Sequence, residues 1–193
     1  MAINEVLATI KKRRSVRAFK EDQITDEELQ TILAAARYAP SAGNQQLWHF
    51  TVIQDKQLLE QLNVSAKESA AQIDNEHIQQ LAKNEKFNIF YGAPTVVLVS
   101  GKEDGMAIEA DCAAATQNML LAAEALGLGS CWVNLTLFAF AGEKGEQYKQ
   151  QLGVPAGYKP FSSAVLGYKK IEAVTAPHRK ENLVNYLKSG YPK

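Results

Sequence analysis

The stretch IEADCAAATQNMLLAAEALGLGSCWV, residues 108–133, carries the most information about the fold. From Ile108 to Leu126 it is helix-forming and nearly apolar all round, which at 1.5 Å per residue makes a rod about 28 Å long. Gly127 and Gly129 follow as stop signals. A helix with so few charges has to be covered on several sides, by core or by a second subunit. Immediately after it, Cys131-Trp132-Val133 reads as a strand. Upstream, Val96-Val97-Leu98-Val99 is the continuous apolar run of a strand buried on both faces. Phe50-Thr51-Val52-Ile53 and Ala164-Val165-Leu166 supply two more strand candidates.

Helices fill the intervals. Thr25 with Glu28 forms a capping box, and Ile24 with Leu29 occupies the hydrophobic-staple positions. Leu29, Ile32, Leu33 and Ala36 then give a buried face, and Pro40 ends the helix. Near the N-terminus, Ile3, Val6, Leu7 and Ile10 predict an amphipathic helix ending near Arg14. Ser15 to Phe19 alternates, with Val16 and Phe19 as apolar anchors. Asp55 can cap a short helix carrying Leu58, Leu59 and Leu62. A second capping box, Ser65 with Glu68, predicts a polar helical stretch opening there and running to about Asn88. Repeats and low-complexity linkers are lacking, so helices and strands mixed in one α+β domain over residues 1–193 are expected.

Composition narrows the function classes. Apolar residues make up 46% and charged residues 22% of 193 residues, values of an ordinary soluble domain. Lys+Arg and Asp+Glu are both 21, so no global field draws the chain to nucleic acid or to an anionic membrane. Cys112 and Cys131 form neither a CxxC pair nor a zinc pattern and are expected as reduced core thiols. The short apolar N-terminal stretch precedes Lys11 to Arg14, the reverse of the charge order in a secretory signal. A cytoplasmic protein is expected.

Chemistry can then arise only locally. Lys11, Lys12, Arg13, Arg14, Arg17 and Lys20 fall within ten positions. Positions 3, 7, 10 and 14 continue the apolar stripe of the first helix, which places the Arg14 guanidinium where the helix should pack. A half-buried guanidinium needs an anion. A phosphate suits its planar fork of donors, with Ser15 adding a hydroxyl, although an internal ion pair serves equally on charge pattern alone. A second signal is the loop Ala39 to Trp48. Pro40 and Gly43 shape its backbone so that Ser41, Asn44 and Gln46 can project polar groups; amides of this kind can read the edge of a flat heterocycle, or can simply hold the loop together. Gly127-Leu128-Gly129-Ser130 fails as a dinucleotide fingerprint, because Trp132 stands at the third glycine position and the segment follows a helix. His49, His77 and His178 lack metal-ligand spacing. Pro177 to Lys180 reads by itself as a solvated basic turn.

Taken in order, RRSVRAF (Arg13 to Phe19), APSAGNQQLW (Ala39 to Trp48), the Ala-rich helix running into GLGSCW (Gly127 to Trp132), LGVPAGY (Leu152 to Tyr158), and LGY followed by APHRK (Leu166 to Lys180) resemble the FMN-dependent nitroreductase family. The segment from about 65 to 88 is least matched, a variable helical piece that could form a lid. The resemblance implies a nitroreductase-like α+β fold: a central mixed or antiparallel sheet flanked by helices, with the long buried helix at a homodimer interface. It also implies one FMN at each of two sites across that interface. Carried over by position, Arg13, Arg14 and Ser15 would hold the phosphate and ribityl end, with Arg179 closing the phosphate site. Arg17 would run toward the pyrimidine edge. Ser41, Asn44 and Gln46 would reach the ring from the partner subunit, and Gly129 and Ser130 would offer backbone contacts. Leu47 departs from the proline usual there.

The implied activity is ping-pong hydride transfer, in which NADH or NADPH reduces FMN and leaves before a nitroaromatic, quinone or similar electron-poor acceptor takes its place. The flavin carries that chemistry, so neither a catalytic side chain of the usual sort nor a metal is expected. The alternatives are a relative using reduced flavin for dehalogenation or flavin breakdown, and a flavin store or redox sensor without turnover. For Cys131 a packed strand thiol is expected over a flavin contact, and for Phe87, Phe90 and Tyr91 core anchoring over a substrate lid.

Overall fold

The run Val96 to Val99 sits at the centre of the molecule, fully buried on both faces, as its lack of polar alternation requires. In the computed structural model, which describes residues 4–171 and 175–187, it belongs to β2 (Thr95–Lys102). β2 pairs with β1 (Trp48–Ile53) on one side and with β4 (Tyr158–Gly167) on the other. β3 (Gly129–Trp132) completes the order β1-β2-β4-β3. All three pairings are antiparallel, and among the described residues parallel pairing is confined to an isolated bridge between Ser15 and Ser130.

The period of two along β2 assigns its side chains to two layers. Val96 and Leu98 join Val165, Cys131 and Val133 on one face, against Leu59, Leu62 and Ala66 of α3 (Lys56–Ala70). Val97 and Val99 join Ala164 and Leu166 on the other, against α2 (Asp26–Arg37) and α5 (Ile108–Ala125). The α+β architecture follows. The Thr25–Glu28 capping box forms as expected, and the Tyr168 hydroxyl donates to the same Glu28 carboxylate at 2.9 Å. That hydrogen bond to a carboxylate raises the Tyr168 pKa.

Two expectations need correction. Ser65 with Glu68 does not open a helix: α3 runs unbroken from Lys56 to Ala70. Ser65 is buried and its hydroxyl lies 3.5 Å from the Ala139 carbonyl, and Ala66 and Ala139 are packed in the same core layer. Tertiary packing thus uses a local capping pattern as helix interior. The next helix, α4 (Glu76–Lys83), is capped by Asn75 instead. Gly129 is likewise no stop signal but the first residue of β3; the left-handed position that ends α5 is Gly127, at φ +79°. α6 (Gly145–Gln151) and the 3-10 turns at Ala42–Asn44 and Asn134–Phe140 complete the elements.

The first helix, α1 (Glu5–Lys12), stops two residues before Arg14 and buries none of its side chains. Val6, Leu7 and Ile10 are 64%, 56% and 49% exposed; Ile3, the start of the expected stripe, lies outside the described residues. α1 crosses the outer side of α5, where Val6, Thr9, Ala35, Asn118, Leu121 and Ala122 line a groove of about 630 Å³. Cover for α5 is thus incomplete within one chain. Among the described residues no helix is long and apolar enough to cross a membrane.

Candidate functional site

The basic segment leaves α1 and lies along the free edge of β3. Arg13 caps the helix, its backbone N–H donating to the Thr9 carbonyl at 2.9 Å. The Arg14 Nη1 donates to the carbonyls of Lys11 at 2.7 Å and Arg13 at 2.6 Å. Its Nε is buried without a hydrogen-bond partner. A buried N–H of a cation is expensive to leave unpaired, so this atom calls for an acceptor that the described residues do not provide.

Beyond Arg14 the backbone is fixed by Val16 N–H donating to the Ser130 carbonyl at 2.8 Å. Phe19 then enters the core and bridges to Lys169. Gly129 makes this close approach feasible. A Cβ there would stand 3.0 to 3.1 Å from side-chain atoms of Val16, Phe19 and Lys169. Ser130 is 2% exposed with its carbonyl committed to Val16, so the GLGS turn acts here by holding the basic segment in place.

Between the inward residues Val16 and Phe19 and the end of α1, Ser15 and Arg17 are both exposed. The Cys131 thiol is pushed up by burial, while Arg17, a Ser15 hydrogen bond and Arg13 pull it back. The bridge between Ser15 and Ser130 sets this segment beside Cys131 of β3. The guanidinium of Arg17 lies 5.7 Å from the centre of the Tyr91 ring. Cys131 packs in the core, its sulfur near the carbonyl of Trp132, as expected for a strand thiol.

The loop carrying Ser41, Asn44 and Gln46 is built at the other end of α5. Both Asp111 oxygens accept from the Ala42 N–H, at 3.2 and 3.1 Å. The Ser41 hydroxyl oxygen accepts from Gln46 N–H at 3.1 Å, and the Gln46 side-chain amide donates to Asn44 Oδ1 at 3.0 Å. Gly43, Asn44 and Gln46 have φ of +58°, +54° and +52°. Two non-glycine residues in that region mark a backbone held by its surroundings. Asn44 and Gln46 remain exposed. Asp111 is a residue the sequence reading passed over; its signal is a carboxylate in the first turn of an otherwise apolar helix. Asp111→Ala should destabilise the chain by about 1–2 kcal/mol and speed amide exchange from Ala42 to Gln46, whereas Asp111→Asn, which keeps an acceptor, should do much less. Urea unfolding with hydrogen exchange tests this; protection unchanged in Asp111→Ala would refute it.

One chain does not bring the two halves together. Lys12 reaches Glu124 at 3.5 Å, tying the basic segment to the C-terminal end of α5. Asp111 ties the loop to its N-terminal end. Thirteen residues of helix separate them, about 20 Å. Among the described residues Arg179 makes no hydrogen bond or ion pair to either half. It donates to the Pro177 carbonyl at 3.4 Å, and every residue from 175 to 187 is exposed.

The cysteines are free and buried. Burial, with the Asp111 charge beside it, pushes the Cys112 thiol up to about 12. Its ionisation opposes folding. Stability present below the unfolded-state thiol pKa should therefore fall as pH rises from about 9 toward about 12. Cys112→Ala should flatten that decline in urea midpoints measured across the range; an equally steep decline would refute it.

Residues 10–168 match the family model described as the nitroreductase family. The chain belongs to the nitroreductase family. A nitroreductase from Bacteroides fragilis, solved with FMN bound, superposes with a TM-score of 0.89 at 37% identity, covering 96% of this chain and 100% of that one. A second, from Desulfitobacterium hafniense and also with bound FMN, gives 0.87 at 30% identity, covering 96% and 100%. An Archaeoglobus fulgidus relative with the provisional name NADH dehydrogenase/NAD(P)H nitroreductase is 35% identical over 170 residues, 88% of each chain. The nitroreductase matches span both the basic segment and the Ser41 loop, and the expected family fold is the one observed.

Proposed function

We propose that this nitroreductase-family chain is an FMN-dependent reductase, taking hydride from NADH or NADPH and passing electrons to a nitroaromatic, quinone or similar acceptor by a ping-pong scheme. The observation that carries the reading is Arg14 Nε, a buried cationic donor with no partner among the described residues. A phosphate oxygen would satisfy it, and Arg13 and Ser15 lie on the same short segment. The FMN bound in two similar nitroreductase structures supports an FMN phosphate as that anion.

Arg13, Arg14 and Ser15 would hold the phosphate and ribityl end, and Arg179 would close the phosphate site. Arg17 would sit toward the pyrimidine edge, where its charge favours the negative charge that grows on two-electron uptake. Ser41, Asn44 and Gln46 would come from a second copy of the chain. Two features support a homodimer with the site across its interface: the distance of about 20 Å along α5, and the uncovered apolar side chains of α1 beside it. When bound, FMN supplies a two-electron carrier between the nicotinamide and the acceptor, while the protein supplies position, electrostatics and shielding from water. Residues 65–88 would shape the mouth of that pocket.

Anaerobic stopped-flow reduction of the FMN-loaded protein by each nicotinamide, followed by mixing with a nitroaromatic or quinone, tests donor, cofactor and acceptor together. Bleaching by NADH or NADPH and reoxidation by the acceptor are expected, with parallel double-reciprocal plots in steady state. Protein that takes up no FMN would overturn the flavin reading, and loaded protein that neither nicotinamide bleaches would leave a store or sensor.

A further inference from the structure

The turn between α4 and β2 holds a tyrosine where glycine would be at ease. Tyr91 has φ +57°, and Gly92 follows at +71°. A bulky residue in that region is an outlier, and such outliers gather where a side chain has a task. Ile89 and Phe90 fill the core at 2% exposure each, and Phe87 and Tyr91 pack half-buried against it, as expected of this aromatic group. Hydrogen bonds fix the backbone from α3: Asn63 Oδ1 accepts from Ile89 N–H at 3.0 Å, and Lys67 Nζ donates to the carbonyls of Asn84 at 2.7 Å and Phe87 at 3.1 Å. Asn88 Oδ1 accepts from Phe90 N–H at 2.8 Å, and the Asn88 carbonyl accepts from Tyr91 N–H at 2.9 Å.

The half-buried Tyr91 ring is thereby presented at the surface. Phe87 meets it at 5.9 Å and 70°, edge to face, and the Arg17 guanidinium sits over it at 5.7 Å. Arg17 is otherwise a long, exposed side chain, and no ion pair to it occurs among the described residues. Left alone it would spread over many rotamers, and that freedom would have to be surrendered on each binding event. A cation over an aromatic face surrenders it beforehand.

We propose that Tyr91 is a positioning residue for Arg17, its ring fixing the guanidinium beside Arg13 and Ser15 so that the flavin site is organised before the cofactor arrives. This inference rests on the flavin reading above. It adds to that reading a residue that acts through Arg17.

The test is FMN titration, by quenching of flavin fluorescence, of wild-type protein, Tyr91→Phe, Tyr91→Leu, Tyr91→Gly, Arg17→Ala and the Arg17→Ala/Tyr91→Leu pair. Tyr91→Phe, which keeps the aromatic face, should bind within about twofold of wild type. Tyr91→Leu and Tyr91→Gly should each raise the dissociation constant about three- to fivefold. In the Arg17→Ala background Tyr91→Leu should add nothing, because the interaction it removes is already gone. In FMN-free protein, the Arg17 side-chain resonances should lose their ring-current shift in Tyr91→Leu and keep it in Tyr91→Phe. Wild-type uptake of FMN with an unchanged dissociation constant in Tyr91→Leu would overturn the positioning role alone, as would an undiminished Tyr91→Leu effect in the Arg17→Ala background. Wild-type protein that takes up no FMN would overturn both this role and the site it serves.

Discussion

Glu124→Ala should unfold with about 3 kcal/mol less stability than wild type. The Glu124 side chain is 4% exposed in the last turn of α5, where the helix dipole opposes a negative charge. Lys169 approaches it at 3.1 Å and is itself only 10% exposed. Removing the carboxylate would strand that ammonium in a poorly hydrated place. Lys12, at 3.5 Å and 68% exposed, is solvated already and should contribute little. Lys12→Ala should therefore shift stability by less than about 0.5 kcal/mol. The paired change Glu124→Leu with Lys169→Met should recover most of the loss, because a buried ion pair is often replaceable by apolar groups of similar size. Urea denaturation of the four proteins decides it. A Glu124→Ala variant within about 0.5 kcal/mol of wild type would show that the pair is solvated after all.

Arg14→Ala should weaken FMN binding about tenfold to a hundredfold, the range for losing a charge-assisted hydrogen bond to an anion. Arg14 has a second task that has to be separated from the first, since its Nη1 caps the carbonyls at the end of α1. Arg14→Lys supplies that separation. It keeps a cation but lacks the fork that serves the helix end and the anion at once, so its dissociation constant should fall between the other two. Loss of the cap should cost no more than a turn of α1, visible as a small change in helical circular dichroism. FMN affinity in Arg14→Ala equal to that of wild type would remove Arg14 from the site and leave it as a helix cap.

Some residues announced their structure through local chemistry. Thr25 and Glu28 satisfy each other within four residues, so their capping box needs no tertiary help. Ser65 and Glu68 show the same spacing and end up inside a helix. The difference lies in Ala139 and the packed layer around Ala66, which reward continuing the helix and which no four-residue pattern can contain. The Val6, Leu7 and Ile10 stripe was legible as apolar, yet its exposure in one chain depends on what α5 leaves uncovered. Tyr91 was visible only as an aromatic residue near Phe90. Its positive φ comes from the bonds made by Asn63, Lys67 and Asn88.

The same division runs through the candidate site. Arg13 to Arg17 lie within one short segment, so their nearness to one another is written in the order of residues, while the Val16 N–H bond to the Ser130 carbonyl sets that segment along β3. What the amino-acid order determined was this set of donors, the strands and the long helix, all consequences of short-range periodicity and capping. What tertiary structure alone decided was their separation: the loop bearing Ser41, Asn44 and Gln46 is tethered by Asp111 to one end of α5, and the basic segment is tethered through Glu124 to the other. A rigid helix keeps two groups about 1.5 Å apart per intervening residue, and only the packing of α5 against the sheet shows which group stands at which end.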